Sequence, residues 1–414
     1  MILNTINTSA SLNSVSDVLS LKEEFSEELY NILNFWESKT IDKEYGGFIG
    51  EMNHFGKIEE KASKGGILNA RILWTFSAAY RVTKKDSYLK MAERAYRYLI
   101  EHFWDTENGG LFWEVDYKGN PINTRKQAYA QGFGIYAFSE YYSASKTKES
   151  LEFAKELYQI IESKFLDTEH GGYIEALACD WSAIKDMRLS EKDMNAPKSM
   201  NTHLHILEPY TNLYRVWPSE ILKNSIEGLI TLFSEKIYNK QTKHLNIFFT
   251  TNWGSLSDEV SFGHDIEAAW LINEAFLETN KGVLDVKIYN ITASLVQSTL
   301  NEGLDKDGSL LNNFNNNKYD TDRHWWPQAE ALVGLMDAYQ LNNNPIYLEH
   351  LIKVWKFIKY NIIDAENGEW HWRVNENCIA NESEVKVGFW KCPYHNSRAL
   401  MELIERIENI NHVK

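Results

Sequence analysis

Three histidines lie in stretches apolar enough to be buried: His205 in MNTHLHILEPY (200–210), His264 in FGHDIEAAWL (262–271) and His395 in WKCPYHNSRAL (390–400). An unperturbed imidazole titrates near pH ~6.5, which suits reversible proton transfer at neutral pH. Beside them in sequence stand Asn201, Glu267, Trp325, Trp326, Glu330, Trp390 and Arg398, and earlier in the chain Arg71 and Tyr129. A carboxylate one helical turn from an imidazole, as Glu267 is from His264, can orient the ring and support its charged form. Guanidinium and carboxamide groups such as Arg71 and Asn201 can hold a developing oxyanion. Indole faces stack on the C–H faces of sugars. Charged groups are seldom kept in buried stretches without a partner. Together these residues point to proton-transfer chemistry on a small polar substrate.

The neighbours His203 and His205 divide by helical phase. On a strand, residues i and i+2 share a face, whereas on a helix they diverge by about 200°. Ile206, Leu207, Tyr210, Leu213, Tyr214 and Trp217 recur at gaps of three and four, which favours helix. His205 then shares a face with Asn201 and Glu208, and His203 with Leu207 and Tyr210, so His203 reads as a packing or supporting residue. Three histidines and a carboxylate could hold zinc or a non-haem iron, but this phase split, with no HExxH or CxxC pattern, disfavours a metal. Glycoside hydrolysis needs two carboxylates, for which Glu267, Glu330 and Asp193 are candidates. A sugar-binding barrel without catalysis would explain the tryptophans and leave the histidines without a task. No GxGxxG, P-loop, GxSxG or kinase signature occurs in a fitting context. His54, His102, His170, His244, His350, His371 and His412 fall in turns or at outer-helix positions and read as structural or surface residues. His324, next to the tryptophan pair, fits either class.

These residues must be carried by repeated elements. KEYGGFIGEM (43–52), DTENGGLFWEVD (105–116) and DTEHGGYIEALACD (167–180) are copies of one turn, with fainter copies at 243–253, 305–314 and 364–375. Anchored on Gly46, Gly109, Gly171, His244, Gly308 and Gly368, the spacings are 63, 62, 73, 64 and 60 residues. Amphipathic stretches such as 87–104, 150–166 and 346–363 run into the turns. A second set, richer in Gly, Ala and aromatic residues, follows them at 66–82, 129–145, 204–217, 262–278, 326–341 and 395–407. Six such units predict an all-α (α/α)6 barrel of six helical hairpins with short β-like turns at one end. The first ~15 residues read as a loose tail and 16–414 as one barrel domain. The starts of the inner helices carry the candidate residues, and there the free N–H groups would favour a developing oxyanion.

Composition narrows the partners. With 414 residues, 43% hydrophobic and 24% charged, the chain can bury a large core. A formal charge of −15 argues against nucleic acid or an anionic membrane. The N-terminus is a poor signal peptide, and no run approaches the roughly 20 apolar residues of a membrane span. Three scattered cysteines suit a reducing cytosol, so a cytoplasmic protein is expected.

NTHLHILEPY, FGHDIEAAWL, HWWPQAEAL and FWKCPYHNSRALMEL, with KGGILNARILWTFSAAYR upstream, resemble the motifs of the cellobiose 2-epimerases, within the N-acylglucosamine 2-epimerase superfamily. The resemblance covers essentially the whole chain after the tail, and WWPQAE and WKCPYHN point to the cellobiose branch. It implies an (α/α)6 barrel that inverts C2 of the reducing-end glucose of cellobiose or similar β-1,4 disaccharides, with no metal or organic cofactor. Carried over by residue, it places the general acid/base pair on His264 and His395, with His205 as a third essential histidine. Arg71, Asn201, Glu267 and Glu330 fall on the polar shell around the reducing sugar, and Trp325, Trp326 and Trp390 on sugar-contacting aromatics. Tyr129 and Asp193 fall on further contacts, Asp193 within a loop (182–200) expected to lie near the barrel mouth and cover the substrate. A monomer or weak homodimer is expected.

Overall fold

The turn that recurs along the sequence joins two helices each time. A computed structural model, which describes residues 8–283 and 285–412, shows each repeat as an outer helix, a loop and an inner helix. Helix α1 (Thr8–Ser20) precedes them and packs on α2 (Lys22–Lys39). That helix is the first of the outer ring, followed by α4 (Asp86–Tyr98), α6 (Lys148–Ile160), α8 (Glu220–Leu232), α10 (Val286–Ser298) and α12 (Ile346–Phe357). The inner ring is α3 (Gly66–Thr83), α5 (Ala128–Ser145), α7 (Met200–Val216), α9 (Phe262–Thr279), α11 (Trp325–Asn342) and α13 (Tyr394–His412). Each inner helix packs on the next, and α13 packs back on α3, closing an (α/α)6 barrel.

Patterning explains which helix goes where. Helix α4 buries Tyr88, Met91, Ala92, Ala95 and Tyr96, one stripe at helical spacing. Helix α3 buries every residue from Gly66 to Ala79, because outer helices cover one side and the barrel interior the other. The tail expected over residues 1–15 is corrected from Thr8 on, where α1 begins. Leu12, Val15, Val18 and Leu19 recur at spacings of three and four, and Val18 is buried. Residues 1–7 lie outside the described residues. Helix α7 starts four residues earlier than its expected 204, with Ser199 accepting the N–H of Thr202 as its N-cap. Among the described residues no helix is long and apolar enough to cross a membrane.

Two devices fix the loops. The two residues before an inner helix pair antiparallel with the loop of the following repeat: Lys126–Gln127 with Ala176–Leu177, Lys198–Ser199 with Phe248–Phe249, Arg323–His324 with Arg373–Val374. The last loop, at Val385–Val387, pairs with the first, at Met52–Asn53, so the seam of the ring is stitched like the rest. A buried cation also reaches back to its own turn. Lys126 Nζ donates to Asp105 Oδ2 (2.9 Å) and to the Gly109 carbonyl (2.9 Å), and Lys64–Asp42, Lys198–Asp167, Arg323–Asp305 and Lys386–Asp364 repeat the pairing. In the fourth repeat the acid is Asn239 and the cation Val260, so both charges are lost together.

Candidate active site

The six inner helices present equivalent positions to the axis, and the site follows from counting along them. Near each helix start a polar side chain staples the helix to its loop. Gln131 Oε1 accepts the N–H of Leu111 (2.7 Å) and its amide donates to the Leu111 and Gln127 carbonyls, and Gln328 does the same to Leu310 and His324. In the third repeat this residue is His203, whose Nε2 accepts from Tyr173 N (2.9 Å) while Nδ1 donates to the Ser199 carbonyl (2.6 Å). Asp265 holds the position in the fourth. His203 is therefore a staple, and burial holds its pKa at about 4, so it stays neutral. Two residues beyond the staples stand Arg71, Phe133, His205, Glu267, Glu330 and Arg398, the level where the helices meet.

Arg398 organises that level. Its Nη2 donates to Glu267 Oε1 and Glu330 Oε1 (2.6 Å each), and its Nη1 to Glu208 Oε1 and Tyr394 Oη. Three carboxylates from three helices thus share one guanidinium, all buried. Burial pushes Glu208 up, but Arg398 and His205 outweigh it and hold its pKa at about 2. Burial, then repulsion from Glu330, drives Glu267 well above the usual carboxylate range. Its Oε2 is buried without a hydrogen-bond partner, whereas Glu330 accepts from Arg398, from His395 Nδ1 (2.7 Å) and from Trp270 Nε1 (3.2 Å). Burial raises the Glu330 carboxyl as well, against the pull of Arg398.

The histidines sit on this base. His205 Nδ1 donates to Glu208 Oε2 (2.9 Å), and its Nε2 lies 4.0 Å from Glu267 Oε2. His395 Nδ1 donates to Glu330, and burial with the nearby Arg71 and Arg398 charges keeps this ring well below its usual pKa. The expected Glu267–His264 contact does not form, because Glu267 turns to Arg398; His264 Nδ1 instead lies 2.7 Å from Ser261 Oγ. Burial, with His205 nearby, lowers His264 to about 3. The Trp326 indole touches both outer imidazoles, 4.7 Å from His264 and 5.7 Å from His395 between ring centres. Arg71 donates to Tyr129 Oη (2.7 Å) and lies over the Phe133 ring (4.3 Å); among the described residues no carboxylate pairs with it.

A cavity of about 950 Å³ opens above, with Asn201, Ser261 and His264 in its wall beside loop residues 187–189, 192–194, 256–259 and 313–317. Asp193 lines it and accepts from Ser190 N (2.9 Å) and Oγ (2.8 Å). The Asn201 Oδ1 is buried without a partner. His205, His395 and Arg71 stand deeper, outside its wall. Three expectations of substrate contact are corrected by burial. Glu267 and Glu330 are 0% exposed and lie behind the imidazoles, while Trp325 packs on Trp372 (4.9 Å) under Lys391. Trp326 and Trp390 keep partly open faces. His244, read as structural or surface, is structural: buried, with Nδ1 2.6 Å from Asp265 Oδ2.

Among the described residues two clusters have ligand types suited to a metal: Glu267, Glu330 and His395, and His54, Asp364 and His371. In the first, the Arg398 guanidinium already bridges both carboxylates. In the second, Lys386 Nζ lies 2.6 Å from Asp364 Oδ2, and the imidazoles are stacked within 11° of parallel, so one ion would not lie in both ring planes. Neither fits a cation well.

Glu208, Tyr394 and Ser261 were not among the expected site residues, and Arg398 stood beside His395 in sequence with no role assigned. Glu208 and Arg398 each follow a site histidine by three positions, as Glu267 does, but spacing does not say which of these pairs touch.

The N-acylglucosamine 2-epimerase (GlcNAc 2-epimerase) family model matches residues 47–399. The cellobiose 2-epimerase of Bacteroides fragilis is 46% identical over 387 residues, 93% of this chain and 98% of that protein. That of Dictyoglomus turgidum is 42% identical, over 94% of this chain and 100% of that protein. The solved cellobiose 2-epimerase from Bacillus thermoamylovorans B4167 superposes with a TM-score of 0.90 at 44% identity, covering 94% of this chain and 99% of that one. Sequence and architecture agree over nearly the full length of these relatives, and the chain belongs to the N-acylglucosamine 2-epimerase family.

Proposed function

We propose that the protein is an isomerase that inverts C2 of the reducing-end glucose of β-1,4-linked disaccharides, converting cellobiose to glucosyl-mannose and lactose to epilactose. The observation that carries this is the pair of neutral imidazoles, His264 and His395, on one indole, above carboxylates already committed to Arg398. A closed pyranose has no acidic proton at C2, so the ring opens first: the C1–O5 bond breaks as the ring oxygen gains a proton and the C1 hydroxyl loses one to become the aldehyde. In the aldehyde, the C2 proton lies α to a carbonyl and becomes acidic without a cofactor. The bare Nε2 of His395 is suited to take it: the C2–H bond breaks, an N–H bond forms, and the electron pair becomes the C1–C2 double bond of an enediolate. Glu330, on the far nitrogen, supports the imidazolium that results. Arg71, with no acid of its own, is suited to draw the negative oxygen. After rotation about C2–C3, the His395 imidazolium gives this proton back to the opposite face of C2: the N–H bond breaks, a C2–H bond forms and C1 becomes a carbonyl again, with His264 as the second imidazole beside the reacting carbons. His205 lies beneath, tied to Glu208, and Trp326, Trp390, Asn201 and Asp193 take the sugar.

Hydrolysis is less well supported, because Glu267 and Glu330, the best-placed carboxylates, are buried against Arg398. Three free cysteines fit a reducing cytoplasm, and a charge of −15 fits a small neutral substrate better than nucleic acid or membrane. The test is NMR of cellobiose incubated with the protein in D2O. Glucosyl-mannose with deuterium at C2 is expected. Free glucose would assign a hydrolase, and unchanged cellobiose a binding protein or another substrate.

A further inference from the structure

The two outer imidazoles have unlike partners. Glu330 can only accept, so a neutral His395 carries its proton on Nδ1 and leaves Nε2 bare. Ser261 can donate or accept, and its hydroxyl is 2.7 Å from His264 Nδ1. Although Ser261 immediately precedes α9, its side chain caps no backbone N–H there; its bond is to the imidazole. His264 is the third residue of α9, and Nδ1 lies beside the helix start, where the N–H groups form the positive end of the dipole. A lone pair at Nδ1 is favoured there over an N–H, and a hydroxyl donor then completes it. The groups facing this ring are the Trp326 indole and, more distantly, His205. Among the described residues no carboxylate reaches it to support a positive charge.

We propose that Ser261 is a positioning residue: its hydroxyl donates to Nδ1 and holds the proton of a neutral His264 on Nε2, which hydrogen-bonds the C1 oxygen of the open sugar as C2 loses its proton. The two imidazoles then divide the work: His395 takes the C2 proton and returns it to the other face after rotation about C2–C3, while His264 stays an uncharged electrophile, a role for which a lowered pKa is an advantage. This rests on the epimerase reading above, but the tautomer is measurable without substrate.

The experiment pairs 15N NMR of the full-length protein labelled at histidine with kinetics of Ser261→Ala and Ser261→Thr. In the unaltered protein at pH 7 the His264 resonances should show a protonated Nε2 and a bare Nδ1, and Ser261→Ala should mix the tautomers. Turnover of Ser261→Ala should fall roughly 10- to 100-fold, less than the roughly 100- to 1,000-fold for outright loss of one oxyanion donor because His264 itself remains, with KM and melting temperature little changed. Ser261→Thr, which keeps the hydroxyl, should restore the tautomer and most of the rate. A protonated Nδ1 or an imidazolium in the unaltered protein would overturn the proposal, as would full turnover in Ser261→Ala. If cellobiose is not epimerised at all, the epimerase reading fails while the tautomer result still decides the role of Ser261.

Discussion

Pro209 lies four residues after His205 and removes the backbone donor that the His205 carbonyl would otherwise meet. The helix breaks its regular path there, with His205 at φ −86° and ψ 16°. The freed carbonyl leans against α5 at Gly132, where an added Cβ would stand 2.3 Å from the oxygen. Proline and glycine thus set the aim of one imidazole from two helices.

Pro209→Ala should restore the N–H and straighten α7. Stability should hold or rise, by at most about 3 kcal/mol, while turnover falls, because His205 no longer meets Glu208 and Glu267 at the same distances. Misplacement by about 1 Å can cost about 100-fold. A melting curve and steady-state kinetics on the same preparation check this. Unchanged turnover would show that the kink is not needed to aim His205.

His203 and His205 should separate cleanly on substitution. His203→Gln places the same group as Gln131 and Gln328 at the same repeat position, able to accept from Tyr173 and donate to Ser199. It should keep turnover within a few-fold, whereas His205→Gln, which cannot reproduce the imidazole between Glu208 and Glu267, should lose most of it. Equal losses would place His203 in the site.

Arg398→Met should destabilise the fold by about 3–5 kcal/mol at pH 8, because it strands buried carboxylates. Glu208 has a folded pKa of about 2, below its usual 4.5, so its stabilisation is present above pH 4.5 and lost as pH falls toward 2. Without the guanidinium the folded carboxylate pKa values rise, and their burial cost is relieved as pH falls. The deficit of the variant should therefore narrow between pH 8 and pH 5 in denaturant titrations. A deficit independent of pH would indicate lost packing on Trp270 and Tyr394 instead.

Much of this was legible in the sequence, because it is periodic. The turns repeat every 60 to 73 residues, and the inner helices are apolar all round where the outer ones carry one stripe, so both rings follow from pattern. The separation of His203 from His205 follows from helical phase. What spacing could not show is which axis residues meet. His264 and Glu267 are one turn apart on α9, yet Glu267 is drawn to Arg398 on α13 and His264 to Ser261, just before its own helix. Glu208, Glu267 and Glu330 come from three helices, so their common cation emerges only when the ring closes. The apolar pattern starts α7 only at Leu204 because MNTH is polar, and those residues are helical through the Ser199 cap and the His203 staple.

Glu175 gives a second pH dependence of opposite sense. It is buried beside the cavity, accepting from Ser199 N (2.7 Å) and Thr202 Oγ1 (2.6 Å), and burial outweighs these bonds to raise its pKa to about 7. A folded pKa above the unfolded one means stability is lost as pH rises from 4.5 through about 7, by about 3 kcal/mol in all. Glu175→Gln should be relatively more stable at pH 8 than at pH 5. Parallel stability–pH curves for the two proteins would refute a shared, raised titration.

The fourth repeat suggests a natural double substitution. Lys126 and Asp105 are both buried, and Lys126→Val alone leaves the carboxylate with backbone N–H donors but no cation. It should cost about 3–5 kcal/mol, the range for breaking a buried ion pair by removing one partner. Asp105→Asn in the same protein recreates the Asn239–Val260 arrangement, in which Asn239 Oδ1 still accepts from Gln241 N (3.0 Å) and Thr242 N (3.3 Å) to hold its turn. The double variant should recover much of the loss, giving a coupling energy of about 1–3 kcal/mol in a double-mutant cycle. Additive losses would mean that the turn depends on the lysine's bond to the Gly109 carbonyl rather than on charge pairing.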